Sequence, residues 1–141
     1  MQRKVAVRPY RAEDEADLFV LARGLFGERL EWRDGRAIEV LETDVVFVAE
    51  VEGATAGYAA LEQEEDTVRI EHLLVSPVHD DEHVETQLLA YAEGYAISVS
   101  ARTLQVVAEA DNDLARSFYR RLGFVPVGGD LLELVLPSAA L

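Results

Sequence analysis

The sequence predicts an α/β protein with one mixed, mostly antiparallel sheet and helices on both of its faces. Three β-rich runs follow one another between residues 45 and 75, joined by short turns, as in an antiparallel meander. A helical stretch then separates the third run from a fourth at 102–108, which is the pattern of a right-handed β-α-β crossover. The 141 residues suit one hydrophobic core, so a single domain over 1–141 is predicted.

The N-terminal part predicts one strand and two helices. Residues 4–8 alternate between apolar and polar side chains, and Pro9 ends this strand. Residues 12–23 begin with acids, which suit a helix N-terminus, and Gly24 suits the end of that helix. Residues 35–43 predict a second, shorter helix. The apolar side of the first helix is assigned to Ala16, Phe19 and Val20.

The middle of the chain predicts the meander and a long helix. Glu52-Gly53 joins two β-rich runs as a hairpin, and the acidic turn over 64–66 leads into a third strand over 67–75. Residues 83–98 carry apolar side chains at helical spacing. The predicted apolar face of that helix comprises Val84, Leu88, Tyr91, Ala92 and Tyr95.

The C-terminal part predicts a strand, a helix and a hairpin. The strand covers 102–108, and the helix covers 112–122 and stops at Gly123. Two short strands follow within 124–136 around the turn at 128–130. In such sheets a ligand tends to bind where neighbouring strands part. This place is the end of residues 67–75.

The charge balance restricts the classes of partner. The 27 acidic and 13 basic residues give a formal net charge of −14. A charge this negative argues against nucleic acid, because phosphate neutralisation supplies most of that affinity, and against anionic membrane surfaces. It would attract cationic substrates such as amines. Surface acids also serve solubility in a salty cytosol, and this explanation stays open.

The absence of certain residue patterns restricts the class further. The chain has no cysteine, which rules out disulfides and thiolate nucleophiles. No apolar run has the length of a membrane-spanning helix, and the first ten residues lack the apolar centre of a signal peptide. We therefore expect a cytoplasmic protein without a membrane partner.

The predicted ligand end of the sheet carries an unusual loop, SPVHDDEHVETQLL, at 76–89. A phosphate-binding fold would place glycines there, and this loop has acids instead. Asp80 or Asp81 would suit a helix N-cap, and acids in the first turn suit the helix dipole. His79 and His83 could share a helix face as metal ligands do, but the helix is predicted to start between them, so no metal site is predicted.

With these elements in order, the chain resembles the GCN5-related N-acetyltransferase (GNAT) superfamily. The resemblance covers nearly the whole chain and has three local matches. FVAEVEGATAGYAAL (47–61) is similar to the family's second and third strands. HLLVSPVHDDEHVETQLLAYAE (72–93) is similar to its fourth strand, cofactor loop and third helix. NDLARSFYRRLGF (112–124) carries the family's Asn, Ala, Phe-Tyr and Gly-Phe in register and is the most specific match.

This resemblance implies an acetyl-CoA-dependent transfer to an amine, with acetyl-CoA as co-substrate. The strands over 67–75 and 102–108 would be splayed, and the pantetheine arm would pair with the first of them as an added strand. Asn112 would contact the cofactor or order its loop, and Tyr119 would protonate the departing thiolate. The residues implied to bind the cofactor through their main chain are Leu73, Leu74, Val75, Asp81, Glu82, His83, Val84, Glu85 and Thr86.

The general base follows from the same resemblance. Some relatives keep a carboxylate on the fourth strand, and Glu71 stands there. Other relatives place the base on the fifth strand, where this chain has Val107, so Glu109 is the remaining alternative. Glu71 as a solvated strand residue is the competing interpretation. His72 alternates with apolar neighbours and is predicted to be a packed, hydrogen-bonded histidine.

The chain departs from the family at the loop. The family's first polar position is Asp80 here, and its two glycines are His83 and Glu85. Like charges 4 Å apart repel by about 1 kcal/mol in water, and screening at high salt removes much of this. A Cβ in place of a glycine can block the phosphates whatever the salt.

We predict an N-acetyltransferase that acetylates a small-molecule or peptide amine by direct attack, because no cysteine can carry an acyl group. The alternative is a catalytically lapsed protein of this fold that no longer binds CoA well and acts as an interaction module. A homodimer is possible, and a nucleic-acid-binding module is disfavoured by charge.

Overall fold

The computed structural model describes residues 4–26, 45–79 and 82–137. Its strands are β1 (Val5–Pro9), β2 (Val45–Val51), β3 (Ala54–Glu64), β4 (Thr67–Val75), β5 (Thr103–Val107), β6 (Val125–Gly128) and β7 (Leu131–Val135). Its helices are α1 (Glu15–Phe26), α2 (Glu82–Ser98) and α3 (Asp113–Arg121). Short 3-10 turns cover Ala12–Asp14 and Pro77–His79. The predicted helix over 35–43 lies outside the described residues.

The seven strands form one sheet in the order β1-β2-β3-β4-β5-β7-β6. β1 pairs antiparallel with β2, and β7 pairs antiparallel with both β5 and β6. β4 and β5 are parallel, as the predicted β-α-β crossover requires. The predicted α/β class, with its mixed and mostly antiparallel sheet, is confirmed.

The chain folds into two compact units. The first comprises residues 1–60 and 72–91, and the second comprises 61–71 and 92–141. β3, β4 and α2 each contribute residues to both units. Whether the chain is a single domain over 1–141 stays a prediction.

The first unit has its core between α1 and the sheet. Leu18 and Leu21 of α1 are buried together with Val46 and Val48 of β2 and with Tyr58 of β3. The predicted apolar side of α1 is correct for Phe19, which packs against this core, and wrong for Ala16 and Val20, because Ala16 is exposed and Val20 is 71% exposed.

An ion-pair network ties β1 to β2 and to the turn before α1. Arg8 donates to both oxygens of Asp14, at 2.8 and 2.7 Å, and to Glu50 at 2.7 Å. Asp14 is 6% exposed, and its hydrogen bond with Arg8 lowers the pKa of this carboxyl. The pair therefore fixes the start of α1 against the sheet.

The second unit has its core on one face of β4, β5 and β7. Val68, Ile70, Leu104, Val106 and Leu132 are each at most 1% exposed. Their alternation with half-buried residues is the strand period that the sequence shows. Within the described residues, no helix is long and apolar enough to cross a membrane.

Candidate active site

The last residues of β4 are the part of the strand that was predicted to pair with the cofactor. The parallel ladder joins Thr67–Ile70 of β4 to Thr103–Val106 of β5 and stops there, while β4 continues for five residues to Val75. Leu73, Leu74 and Val75 are half-buried in this continuation. A strand that extends beyond its pairing with a neighbour can accept an added strand on that side. Its main-chain groups there are not hydrogen-bonded to the neighbouring strand.

Gly57 of β3 holds this stretch of β4 at close range in the first unit. A Cβ at Gly57 would collide with the carbonyl oxygen of Leu74 and lie 3.2 Å from Cα of Val75. Any side chain there would push β4 out of place, since backbone atoms cannot turn away. The sequence analysis did not single out Gly57, although a glycine inside a strand often marks such an approach.

A buried tyrosine and a histidine lie beside the same stretch. Tyr58 has no exposed surface, and burial raises the pKa of its phenol, which stays protonated. Its hydroxyl lies 3.3 Å from Nδ1 of His72, and the two rings meet edge to face at 6.2 Å. The prediction of a packed, hydrogen-bonded His72 is confirmed.

β4 leads into the predicted phosphate loop through a 3-10 turn. Ser76 N–H donates to Ala56 O at 2.7 Å, which extends the pairing with β3 by one residue. Val78 N–H then donates to the Ser76 hydroxyl at 3.3 Å, and His79 N–H donates to Ser76 O at 2.8 Å. Asp81, one of the predicted cofactor-binding residues, lies outside the described residues.

The other predicted loop residues lie in the first turn of α2. The helix begins at Glu82, so His83, Val84 and Glu85 follow as its next positions and Thr86 completes the set. The first four N–H groups of an α-helix have no acceptor within the helix, and this end attracts anions. Binding of a pyrophosphate by the main chain of this turn stays a prediction.

The side chains of this turn fit a phosphate less well. His83 and Glu85 replace the glycines of the family, and both are half-buried. Each brings a Cβ close to the helix terminus, and Glu85 brings a negative charge. Val84 is 1% exposed and belongs to the core. The fit of this site thus rests on main-chain groups alone.

In the second unit, Asn112 is the N-cap of α3. Its side-chain oxygen accepts a hydrogen bond from Ala115 N–H at 3.2 Å, and its carbonyl accepts one from Arg116 N–H at 3.0 Å. This is the ordering role that the resemblance offered as one of two possibilities. The side chain is exposed, and a contact with the cofactor stays a prediction.

The loop before α3 is tied down from both sides. Arg116 donates to Ala108 O at 2.8 Å, and Ala108 N–H donates to Asp130 O at 2.8 Å. The Asp130 carboxylate also accepts from Ala110 N–H at 3.1 Å. Sequence reasoning assigned Asp130 to a turn and missed this second role, which no local pattern signals.

Tyr119, the predicted general acid, is 6% exposed near the end of α3. Its ring meets Phe118 edge to face at 5.4 Å and Phe124 at 5.6 Å. The main chain turns back here, because Phe124 N–H donates to Tyr119 O at 3.1 Å and Gly123 adopts φ +102°. The rings of Phe118 and Phe124 therefore restrict the direction of the phenol.

Glu71, the predicted base, is the residue of β4 that follows the parallel ladder. Its carboxylate lies 3.6 Å from Arg69 Nη1, and the side chain is 29% exposed. Glu71 is therefore half of an ion pair rather than a fully solvated strand residue. Glu109, the alternative base, is exposed.

The predicted site residues thus fall into two groups. The cofactor group on β4 and α2 belongs to the first unit, and Glu71, Asn112 and Tyr119 belong to the second. Within each unit the structure orders the group by contacts that do not need a ligand. In the described part of the chain, no three acidic or histidine side chains are grouped so that they could hold a metal ion.

Comparison with known families identifies this arrangement. The family model of the acetyltransferase (GNAT) family matches residues 9–124. This match includes every predicted site residue. A comparison with curated proteins gives no significant match.

Solved structures of low sequence identity share the fold. A putative GNAT acetyltransferase from Desulfovibrio desulfuricans has a TM-score of 0.80 at 18% identity, over 95% of this chain and 100% of that one. The PaiA N-acetyltransferase of Thermoplasma acidophilum, solved with coenzyme A, has a TM-score of 0.76 at 18% identity. The match covers 94% of this chain and 99% of that one. A GNAT acetyltransferase from Brucella melitensis, solved with acetyl-CoA, has a TM-score of 0.73 at 18% identity. The match covers 97% of this chain and 92% of that one.

Proposed function

The chain belongs to the GNAT acetyltransferase family, and from this premise we propose that it transfers an acetyl group from acetyl-CoA to an amine. One observation carries the proposal. The segment from Asn112 to Phe124 combines a capped helix with a tyrosine fixed between two phenylalanines. These two ring contacts hold in place the tyrosine that the family resemblance assigns to protonation of the departing thiolate.

Acetyl-CoA supplies the activated acetyl group, and the residues that would hold it are on β4 and α2. The main chain of Leu73 to Val75 would pair with the amides of the pantetheine arm. The first-turn N–H groups of α2 would bind the pyrophosphate. Two GNAT structures of the same fold, solved with coenzyme A or acetyl-CoA, support acetyl-CoA as the co-substrate.

Tyr119 and Glu71 would manage the protons. Glu71 would take one proton from the acceptor ammonium, directly or through water, so that the nitrogen lone pair is free to attack the thioester carbon. The C–N bond forms as the C–S bond breaks, and Tyr119 would give its proton to the departing sulfur. The nitrogen, which is positively charged after the attack, releases its second proton to water, and Tyr119 regains a proton from water. The chain has no cysteine to carry the acetyl group, which supports direct attack.

The acceptor is proposed to be a small-molecule or peptide amine. The net charge of −14 favours the approach of cationic acceptors over anionic ones. A cytoplasmic location and a homodimer remain predictions.

A second candidate function is an interaction module of the same fold that no longer binds CoA. The observation that favours it is the first turn of α2, where Glu85 and His83 replace glycines. Their Cβ atoms and the negative charge of Glu85 both oppose a pyrophosphate. The Asn112–Phe124 segment does not decide against this alternative by itself, because Phe118 and Phe124 also pack the core.

Calorimetric titration with acetyl-CoA at low salt and in molar potassium chloride tests the proposal, followed by thiol release with a panel of primary amines. The proposal expects micromolar binding and release of CoA with at least one amine. Binding only in high salt would mean that charge, rather than shape, restricts the loop. No binding in either buffer would leave the interaction module.

A further inference from the structure

A row of polar side chains crosses the sheet of the second unit. The strand register pairs Arg69 of β4 with Gln105 of β5, and Gln105 with Glu133 of β7. Directly paired residues project from the same face of a sheet and touch one another. We call Arg69, Gln105 and Glu133 the cross-strand row. It lies on the face opposite the core residues Ile70 and Val106.

The row is joined by directed hydrogen bonds. Arg69 Nε donates to Gln105 Oε1 at 3.3 Å, and Gln105 Nε2 donates to Glu133 Oε1 at 3.3 Å. Because Glu133 accepts from the amide nitrogen, the amide oxygen of Gln105 has to face Arg69. Each member thus fixes the orientation of the next, from β7 back to β4.

The row ends at the proposed base. With Nε held by Gln105, the terminal nitrogens of Arg69 point to carboxylates, Nη1 to Glu71 at 3.6 Å and Nη2 to Glu64 at 3.9 Å. Glu64 is 69% exposed, whereas Arg69 and Glu71 are 30% and 29% exposed. The pair with Glu71 is therefore the less screened of the two.

We propose that the cross-strand row positions the Glu71 carboxylate and makes Arg69 a positioning residue for proton removal from the acceptor. This inference rests on the proposed function. A guanidinium held by a neighbour restricts the rotamers of the carboxylate it contacts and favours its ionised form. Taking a proton from the amine would neutralise Glu71 and break this pair, so Arg69 also controls the pH at which the base is available. In this unit Arg69 lies within ion-pair distance of Glu71, while Glu64 contacts Arg69 and Glu133 contacts Gln105.

The test measures kcat/KM against pH for three variants at saturating acetyl-CoA. Arg69→Gln removes the positive charge, and we expect the acidic limb of the profile to move up by roughly one pH unit. Arg69→Lys should restore most of this shift. Gln105→Leu keeps Arg69 but removes the acceptor of its Nε hydrogen bond. This variant should move the acidic limb in the same direction by a smaller amount.

The matched control is Arg102→Gln. Arg102 pairs with Asp66 at the same 3.6 Å distance in the same unit, but it is 83% exposed and is not part of the row. The acidic limb of its kcat/KM profile should lie at the same pH as in the wild type. An unchanged limb in Arg69→Gln, with kcat lowered or not, would overturn the proposal and leave the row a structural feature.

A second measurement separates this inference from the proposed function. Carbon NMR of the Glu71 carboxyl gives its titration midpoint without any turnover. A midpoint that rises in Arg69→Gln in a protein that acetylates no amine would support the positioning while the proposed function fails. Equal midpoints in wild type and Arg69→Gln would overturn the positioning even in an active enzyme.

Discussion

Each of the two units contains one helical segment that carries predicted site residues, and the two segments differ in the groups that would act. α3 is capped by the side chain of Asn112 and carries Tyr119, the proposed general acid, near its end. α2 offers main-chain N–H groups, and the side chains of its first turn include His83 and Glu85. The first segment keeps the family's residues and the second has lost its glycines.

The difference teaches which parts of a site a sequence has to preserve. A phenol that donates a proton and an amide that caps a helix are specific to their side chains, so these positions tolerate little change. A main-chain N–H is present at every residue except proline, so binding through it constrains the side chain only by bulk and charge. The α2 turn can therefore drift in sequence while its amides stay in place.

The largest effect is expected at Tyr119, whose side chain is proposed to donate a proton in the reaction. Tyr119→Phe should lower kcat about 100-fold, which is the lower end of the range for lost general acid catalysis. The ring contacts with Phe118 and Phe124 remain, so acetyl-CoA affinity should hold. Stopped assays of CoA release give kcat, and calorimetry gives the affinity.

The control for Tyr119→Phe is Tyr91→Phe, which removes a hydroxyl from a tyrosine that is 44% exposed on α2. It should keep wild-type kcat. If Tyr119→Phe also kept wild-type kcat, the Asn112–Phe124 segment would be needed for packing only. It would then no longer differ from the first turn of α2 in relying on a specific side chain.

A smaller effect is expected at Gly57, which supports the main-chain side of the comparison. Gly57→Ala places a Cβ against Leu74 O, and the strain should lower the free energy of unfolding by roughly 1–3 kcal/mol. The KM for acetyl-CoA should rise as well, because the displaced residues are the ones proposed to pair with the pantetheine arm. Urea unfolding and initial rates measure the two effects.

Gly94→Ala is the matched control, since a Cβ at Gly94 meets nothing within 4 Å. Gly94 is inside α2, where alanine is the better helix former by about 0.8–1 kcal/mol, so this variant should gain stability. Equal losses of unfolding free energy in both variants would mean that the close approach at Gly57 does not account for the lower stability of Gly57→Ala.

The same distinction explains what the sequence could predict. The order of strands and helices follows from local periodicity, and most of the described elements begin and end close to the predicted positions. The exception is the end of α1, because the helix continues through Gly24, where it was predicted to end, to Phe26. The stop at Gly123 is a local signal and was predicted, whereas Asn112 was placed inside the helix and is its N-cap. Tyr119 and Glu71 were singled out by family resemblance, and their roles stay predictions.

The errors concern choices that tertiary contacts make. Leu18 to Leu21 is a continuous apolar run, so helical spacing alone does not decide which side of α1 faces the sheet. Leu18 and Leu21 are buried, and Val20 is not. Tyr91 was assigned to the buried side of α2, but it is 44% exposed and meets Phe47 edge to face at 5.4 Å. Gly57 and the cross-strand row depend on partners distant in sequence, which no local pattern contains.

At Asn112 the expected effect is on stability and is smaller. Asn112→Ala removes the acceptor for Ala115 N–H, and lost N-caps cost about 1 kcal/mol. Asn112→Asp keeps an acceptor and adds a charge that suits the helix dipole, so it should retain the stability. A loss of CoA affinity in Asn112→Asp with stability intact would show that Asn112 contacts the cofactor as well.

The smallest effect is expected at Glu85, and it separates charge from shape in the loop. Glu85→Gln removes the charge and keeps the bulk, so acetyl-CoA should bind roughly fivefold more tightly at low salt and equally well in molar salt. Glu85→Gly removes the Cβ as well, and any further gain that persists in molar salt measures the steric part. Calorimetric titration at both salts gives the four affinities, with unfolding curves to account for the weaker helix. Equal affinities for Glu85→Gln and wild type at low salt would mean that the carboxylate does not face the phosphates. The acids of this turn would then serve α2 itself, and its main-chain groups would bind the cofactor without interference from Glu85.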